Sequence, residues 1–358
     1  MNGLLSDYLK DNYPKTKFDL FSAFIERCSA MANLDGYYSL ITPQAFMFLQ
    51  SYESLRSDII HCKTIVNMTH FGFGAFGADF GTAAYCVCNK NYANYTATYI
   101  RLSDFGNIDE KETHFSDMSN RYYAQQLDYL IIQDYPFAYW VSKAGLSAFS
   151  KGIMKKYADT KQGFKTSDND RFLRYWYEVS LSKLFLGGCK DNKKWFPCNK
   201  GGDYRKWYGN NQYAVNWEND GFEIINFKDK HGKLLSRPQN LMYNFREALT
   251  WSTLSSGDVS FRYSAETMMF ESKGSECFPK SSKDIWNILG FLNSTVAMYY
   301  FKMIAPTVDY SEGSVLKLPF IRNENEEINA LVRENIQLSK SDWDSFETSW
   351  DFEQHPLI

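Results

Sequence analysis

No stretch of this chain approaches the ~18 consecutive apolar residues needed to span a bilayer. Its amino-terminal MNGLLSDYLKDNYPK has no apolar signal-peptide core. Neither a membrane protein nor a secreted one is expected, and the chain reads as cytoplasmic. Histidine is scarce, with five in 358 residues, and only His70, beside a glycine-rich loop, stands in a suggestive place. The seven cysteines are an odd number without a regular framework, which argues for a reduced compartment. Cys86 and Cys88 alternate inside a strand pattern, and Cys189 and Cys198 have no second pair at zinc spacing, so no metal is expected. Charge of one sign is missing too. Lys and Arg number 39 against 42 Asp and Glu, a net −3, which excludes a histone-like polycation but leaves room for a local basic patch.

Against these absences stands an excess of rings. Phe 28, Tyr 25 and Trp 9 make up 17% of the chain. Aromatic side chains fill cores, but they also stack on bases and sugars. With 44% hydrophobic and 23% charged residues the chain has the composition of a folded protein. Its length suggests about two domains of roughly 150 residues.

The first 90 residues read as pieces of an α/β sheet. Phe18, Phe21, Phe24, Ile25, Cys28 and Met31 recur at helical spacing. Asp35-Gly36 turns the chain, and Tyr37–Thr42 is a short strand ending at Pro43. A second helical stripe runs from Phe46 to Ile59. Strands follow at Thr64–Thr69 and Thr82–Cys88 around a loop with Gly72, Gly74, Gly77 and Gly81. This order is that of the second half of a doubly wound, Rossmann-like sheet ending in a hairpin. Residues 91–158 read as a connector with helical patterns at Ser119–Leu130 and from Ser142. From about Thr160 the segments shorten and alternate, as at Tyr213–Trp217, Phe222–Phe227 and Thr267–Phe270, predicting an irregular α+β domain over 159–322. It closes with a helix at Ile285–Lys302 and an extended Val315–Phe320. Residues 323–358 read as an acidic tail with one solvated helix.

Charge concentrates in one place. Between Lys161 and Asn210 stand eleven bases against five acids, a local balance of +6. Among them are Phe172, Trp176, Trp195, Trp207 and the amides Asn169, Asn199, Asn210 and Asn211. Cations beside aromatics and amides are the ingredients of a nucleic-acid surface; the plainer reading is a solvated face with its rings turned inward. The loop FGFGAFGADFG (Phe71–Gly81) contains a G-x-G, but it lies between two late strands, so a phosphate cradle is a weak reading. Its phenylalanines either offer a ring to a planar substrate or close the core. Asp134-Tyr135-Pro136-Phe137 is a decoy for an Asp-Pro-Pro-Tyr motif.

Several blocks are familiar. DLFSAFIERC (Asp19–Cys28), GYYSLITPQAFMF (Gly36–Phe48) and FGADFGTAAYCVC (Phe76–Cys88) resemble the later half of a γ-order N6-adenine DNA methyltransferase. KTSDNDRFLRYW (Lys165–Trp176), KKWFPCNKGGDYRKWYGN (Lys193–Asn210), SSGDVSFRY (Ser255–Tyr263) and LGFLNST with APTVDYSEGSVLKLPF (Leu289–Phe320) resemble that family's target-recognition domain. Together they resemble the adenine-specific methyltransferases of BREX phage-defence systems.

The resemblance implies S-adenosylmethionine as methyl donor in the intact family enzyme and double-stranded DNA as partner. It also implies contact of the flipped adenine by Phe76 or Phe80. Lys165, Arg171, Arg174, Lys193, Lys194, Lys200, Arg205, Lys206 and Trp207 are the expected DNA contacts, with the arginines as base readers, since a guanidinium fork matches guanine edges. The family's glycine-rich donor loop and its Asn-Pro-Pro-Tyr are absent here. The chain is therefore expected to depend on a missing N-terminal methyltransferase half, in the same or a separate chain, and to bind no donor alone. Other defence-system proteins are further candidate partners. The alternatives are a non-catalytic DNA-specificity or scaffold subunit and, less in keeping with the basic cluster, a carbohydrate-binding module.

Overall fold

The structure, a computed structural model, describes residues 2–255, 257–305 and 309–358. Ser256 and residues 306–308, each inside a motif quoted above, lie outside the described residues. The chain divides into two compact units, Met1–Ser150 and Lys151–Ile358.

The first unit contains α1 (Gly3–Asn12), α2 (Leu20–Met31), β1 (Tyr37–Pro43), α3 (Glu53–Cys62), β2 (Thr64–Gly72), β3 (Thr82–Cys88), β4 (Thr96–Arg101), α4 (Ile108–His114), β5 (Arg121–Gln125) and α5, which begins at Lys143. Its five strands form one sheet in the order β1-β3-β2-β4-β5. β3 runs antiparallel to both β1 and β2, and β4 runs parallel to β2. β1, β2 and β4 therefore point the same way, and their carboxyl ends share one rim. The unit is mixed α/β, as expected. The stretch read as a connector, however, supplies β4 and β5. Ser119–Leu130 is a strand followed by a 3-10 turn rather than a helix, because Tyr122, Tyr123 and Ala124 pair with β4 and pairing overrides a weak periodicity.

One face of this sheet is a core. Tyr38, Ala83, Tyr85, Val87, Ile65, Met68, Ala97 and Tyr99 pack against Ile25 of α2, Leu55, Ile59 and Ile60 of α3, and Tyr129, Phe137 and Tyr139 of a strap beyond β5. Each of the larger side chains among them contributes about 1.5–3 kcal/mol of burial. The other face is open: Tyr37, Ser39, Ile41, Asn67 and Tyr123 are exposed, with Ala84, Cys86 and Thr98 half-buried between them. A doubly wound sheet is covered on both sides, so this unit departs from that expectation on one face. β1 is moreover an edge strand.

The second unit contains β6 (Ala158–Lys161), α6 (Asn169–Phe172), β7 (Leu173–Tyr175), β8 (Trp195–Asn199), β9 (Tyr213–Asn216), α7 (Glu218–Ile225), β10 (Ala248–Trp251), β11 (Phe261–Ser264), β12 (Met269–Phe270), β13 (Glu276–Pro279), α8 (Ile285–Leu292), α9 (Thr295–Ile304), α10 (Glu312–Lys317) and α11 (Glu326–Asp344). Two small sheets result, β11-β10-β13-β6 and β12-β8-β9-β7. Much of the ring excess is core. Phe164, Phe172, Phe185, Phe196 and Trp217 pack together with Val215 and Met269.

Three expectations fail here for local reasons. Phe222–Phe227, read as a strand, lies largely in α7, which is entered through three left-handed residues, Asn219, Asp220 and Gly221; Asn, Asp and Gly are the residues that tolerate this conformation. Ile285–Lys302 is two helices, because the Ser294 hydroxyl accepts from the Ala297 N–H and starts a new one. Val315–Phe320 is not wholly extended: Ser311 caps α10, which runs to Lys317. The tail helix α11 is not fully solvated either, since Val332, Ile336 and Trp343 are buried.

Candidate nucleic-acid interface

The glycine-rich loop leaves β2 at the rim where the parallel strands end, the place where open α/β sheets bind ligands. Phe73, Phe76 and Phe80 are 57%, 57% and 50% exposed, so these rings present themselves rather than closing the core. Phe76 holds a left-handed φ of 57°, a conformation that costs a bulky residue on the order of 1–3 kcal/mol and clusters at functional sites. Phe71 supports it edge-on at 5.1 Å. Beneath the loop lies a cluster that residue patterns did not single out. His70, buried, makes hydrogen bonds to the Gln44 amide oxygen at 2.7 Å and to the Tyr139 hydroxyl at 3.0 Å. Trp140 lies beside His70 and carries the Arg101 guanidinium 4.7 Å above its ring. Burial, with Arg101 adding, pulls the His70 imidazole down to about 3, so it is neutral at physiological pH. Tyr139 and Trp140 close the DYPFAYW strap, whose first four residues looked only like a decoy.

The basic segment divides by what its side chains do. Arg205 is committed to the tail helix: it bonds the Asp342 carboxylate and the Ser339 and Tyr208 carbonyls, and stacks over Trp343 at 5.1 Å. Lys206 donates to the Asn293 carbonyl at 2.8 Å. Trp207, with a φ of 73°, is tied through its backbone to Phe261 and Tyr263. These three are structural in this arrangement. Arg171 pairs with Glu223 at 3.2 Å across the Phe172 and Phe227 rings.

Another group collects on the sheet of β7, β8 and β9. Arg174 and Trp195 lie on one face with their groups 5.9 Å apart, and Lys194 bridges Trp195 and Glu218. Lys193 reaches the Ser182 carbonyl at 2.9 Å. On the opposite face Tyr177, Tyr175 and Tyr213 stack in a row, with Lys200 4.6 Å above Tyr213. Lys165 is exposed at the start of this region. The tyrosine row, which spacing did not reveal, leaves the exposed Tyr177 ring at its end as the face on which a flat ring can stack.

Comparison with known proteins first gives a partial family match: the Eco57I restriction-modification methylase family matches residues 1–76. More particularly, the chain is 35% identical over 371 residues to the adenine-specific methyltransferase PglX of Lacticaseibacillus casei (strain Zhang), covering 99% of this chain and 31% of that protein. It is 34% identical over 365 residues to the adenine-specific methyltransferase BrxX of Escherichia coli O9:H4 (strain HS), covering 100% of this chain and 29% of that one. The resemblance to adenine-specific methyltransferases thus runs along the whole chain, which spans about a third of the length of these relatives. Among solved structures, the Type IIL restriction-modification enzyme MmeI in complex with DNA superposes with a TM-score of 0.59 at 11% identity, over 98% of this chain and 49% of that one. The Type ISP enzyme LlaGI, with a DNA substrate mimic, does so at 0.53 and 12% identity, over 94% and 33%. These likenesses establish a shared fold.

S-adenosylmethionine needs a glycine-rich turn that opens a helix after a strand. The glycine-rich segment here runs into β3 instead. The described residues do not fit the donor, and no step of methyl transfer is assigned to them.

Proposed function

We propose that this chain is the acceptor-side and site-reading part of a DNA N6-adenine methyltransferase of the phage-defence, restriction-modification type. The observation that carries the reading is the 35% and 34% identity over essentially all of its residues to two adenine-specific methyltransferases. Residues 1–90 would be the end of the catalytic fold and 159–322 the target-recognition domain. In such enzymes the target base leaves the helix for a pocket that stacks on it and reads its edge; Phe76 and Phe80 are the stacking candidates. The open sheet face and the free edge of β1 support a further proposal, that the donor-binding half of the sheet is supplied by polypeptide beyond these residues. The donor misfit favours one second reading, a non-catalytic DNA-specificity subunit; methylation assays on an assembly containing both halves separate the two.

Duplex binding at several salt concentrations tests the DNA reading. Lys193→Ala/Lys194→Ala is expected to flatten the slope of log affinity against log salt by roughly 1 to 2, about 0.9 for each phosphate no longer neutralised. Arg205→Ala is expected to leave that slope unchanged and to lower thermal stability, because its partners are Asp342, Ser339 and Trp343. No salt-dependent binding by the parent chain would overturn the proposal. An unchanged slope in the double variant would remove those lysines from the interface.

A further inference from the structure

We infer that Gln44 is a binding residue whose side-chain amide donates a hydrogen bond to a ring nitrogen of an unstacked purine held at the rim of the first unit's sheet. The inference rests on the acceptor-side reading above and adds the group that meets the edge of the base.

Gln44 is the first residue after β1, where the shared carboxyl rim begins, and is only 8% exposed. Its backbone N–H donates to the Gly81 carbonyl at 2.8 Å, fixing it to the far root of the glycine-rich loop. Its amide oxygen faces His70 Nε2 at 2.7 Å, and His70 Nδ1 meets the Tyr139 hydroxyl at 3.0 Å. A neutral imidazole has one donor and one acceptor. With an amide oxygen opposite it, Nε2 must carry the proton, and Nδ1 accepts from Tyr139. The chain Tyr139–His70–Gln44 therefore orients the carboxamide and engages one lone pair of its oxygen. The amide nitrogen has no acceptor among the described residues. That nitrogen is not fully enclosed, so water satisfies it in the free protein and a bound acceptor takes the water's place.

The loop is shaped to the group. A Cβ at Gly81 would lie 2.4 Å from Gln44 Cδ and 2.5 Å from its amide nitrogen. Glycine lets the backbone close over the carboxamide here; any side chain would require the carboxamide to turn from its place against His70. Phe80 precedes it and is half exposed, while Phe48 and Trp140 flank His70 at 5.9 and 6.4 Å. With one lone pair of its oxygen engaged by His70, Gln44 has its amide N–H free to donate. That N–H suits an unprotonated ring nitrogen such as adenine N1, N3 or N7.

Anisotropy with the whole chain tests this, using a labelled oligothymidylate with one central adenine. The comparison strands carry an abasic site, or 1-deaza-, 3-deaza- or 7-deazaadenine, at that position. The parent chain is expected to prefer adenine over the abasic site by at least about tenfold, the worth of one hydrogen bond plus stacking. One deaza substitution should remove the hydrogen-bond share. Gln44→Met, similar in size but without a donor, should lose the same share and become indifferent to that substitution. Gln44→Glu, which can still accept from His70, should behave alike and guards against misfolding of the first variant. Full preference retained in both variants overturns the inference. Salt-dependent binding with no preference for adenine overturns it while leaving the proposed function standing. Absence of any DNA binding overturns the proposed function and this inference with it.

Discussion

Arg56→Leu is expected to destabilise the first unit by about 3–5 kcal/mol. The side chain is fully buried on α3. Its guanidinium donates to three carbonyls: Phe46 at 2.7 Å, Leu49 at 2.8 Å and Asp134 at 2.9 and 2.7 Å. Burial lowers the group to about 10, with Asp134 and Glu53 opposing, so it folds as a cation. Removing it leaves the buried Phe46 and Asp134 carbonyls without their donor, each worth about 1–3 kcal/mol, while the Leu49 carbonyl keeps the Tyr52 N–H. Relief from burying a charge offsets part of this, which sets the net figure. Arg56→Lys should recover only some of the loss, because an ammonium lacks the planar fork that spans the three oxygens.

The same arginine ties down the rim. Phe46 and Leu49 follow Gln44, while Asp134 opens the strap that delivers Tyr139 and Trp140. Hydrogen exchange should therefore show protection lost first in β1, β3 and residues 134–140. A variant within about 0.5 kcal/mol of the parent in urea would contradict the assignment, since that is the range of a neutral surface change.

What could be read from residues alone followed physical scale. The first strands were legible because Tyr37–Thr42 is a dense run between a turn and a proline, and Thr82–Cys88 follows a glycine loop with Cys86 and Cys88 alternating. α2 was legible as a helix, yet its face was not. Ala23, Ile25, Ser22 and Ser29 are buried, while Phe24 and Met31 are exposed. Small polar residues that fit a tight contact do not register in an apolar stripe. β4 was missed because its parallel partner, β2, is distant in sequence, and β5 because it pairs only with β4.

The candidate site divides likewise. The exposed phenylalanines and the cationic cluster were visible as composition. The internal commitments of Arg205 and Lys206 were not, because their partners stand about 130 and 90 residues away. Gln44 and Tyr139 were invisible for the same reason, and His70 only drew notice by adjacency to glycines.

Glu276 yields the other large expected effect, a pH-dependent one. Its carboxyl is fully buried on β13, accepting from Asn199 Nδ2 at 2.7 Å and from the Ser264 hydroxyl at 2.8 Å. Asn199 belongs to β8 in one sheet, and Ser264 and Glu276 to β11 and β13 in the other, so this carboxyl pins the two sheets of the second unit together. Burial raises it from 4.5 to about 8, with the bonds from Ser264 and Asn199 opposing. The folded form therefore holds a proton that the unfolded chain releases above about 4.5. Folding takes up this proton throughout that window, so the contribution to stability is complete below about pH 4.5 and is lost as pH rises toward 8. At about 1.4 kcal/mol per pH unit, the parent should lose roughly 3–4 kcal/mol between pH 5 and pH 8 from this group alone. Glu276→Gln keeps an oxygen to accept from Asn199 and Ser264 but has nothing to titrate. The variant should match the parent near pH 5 and exceed it increasingly toward pH 8, as read from urea midpoints by tryptophan fluorescence, whose Trp195, Trp207 and Trp251 lie in this unit. Parallel pH profiles for the two proteins would show that Glu276 is ionised in the folded state and that the sheets are joined by a charge rather than by a neutral acid.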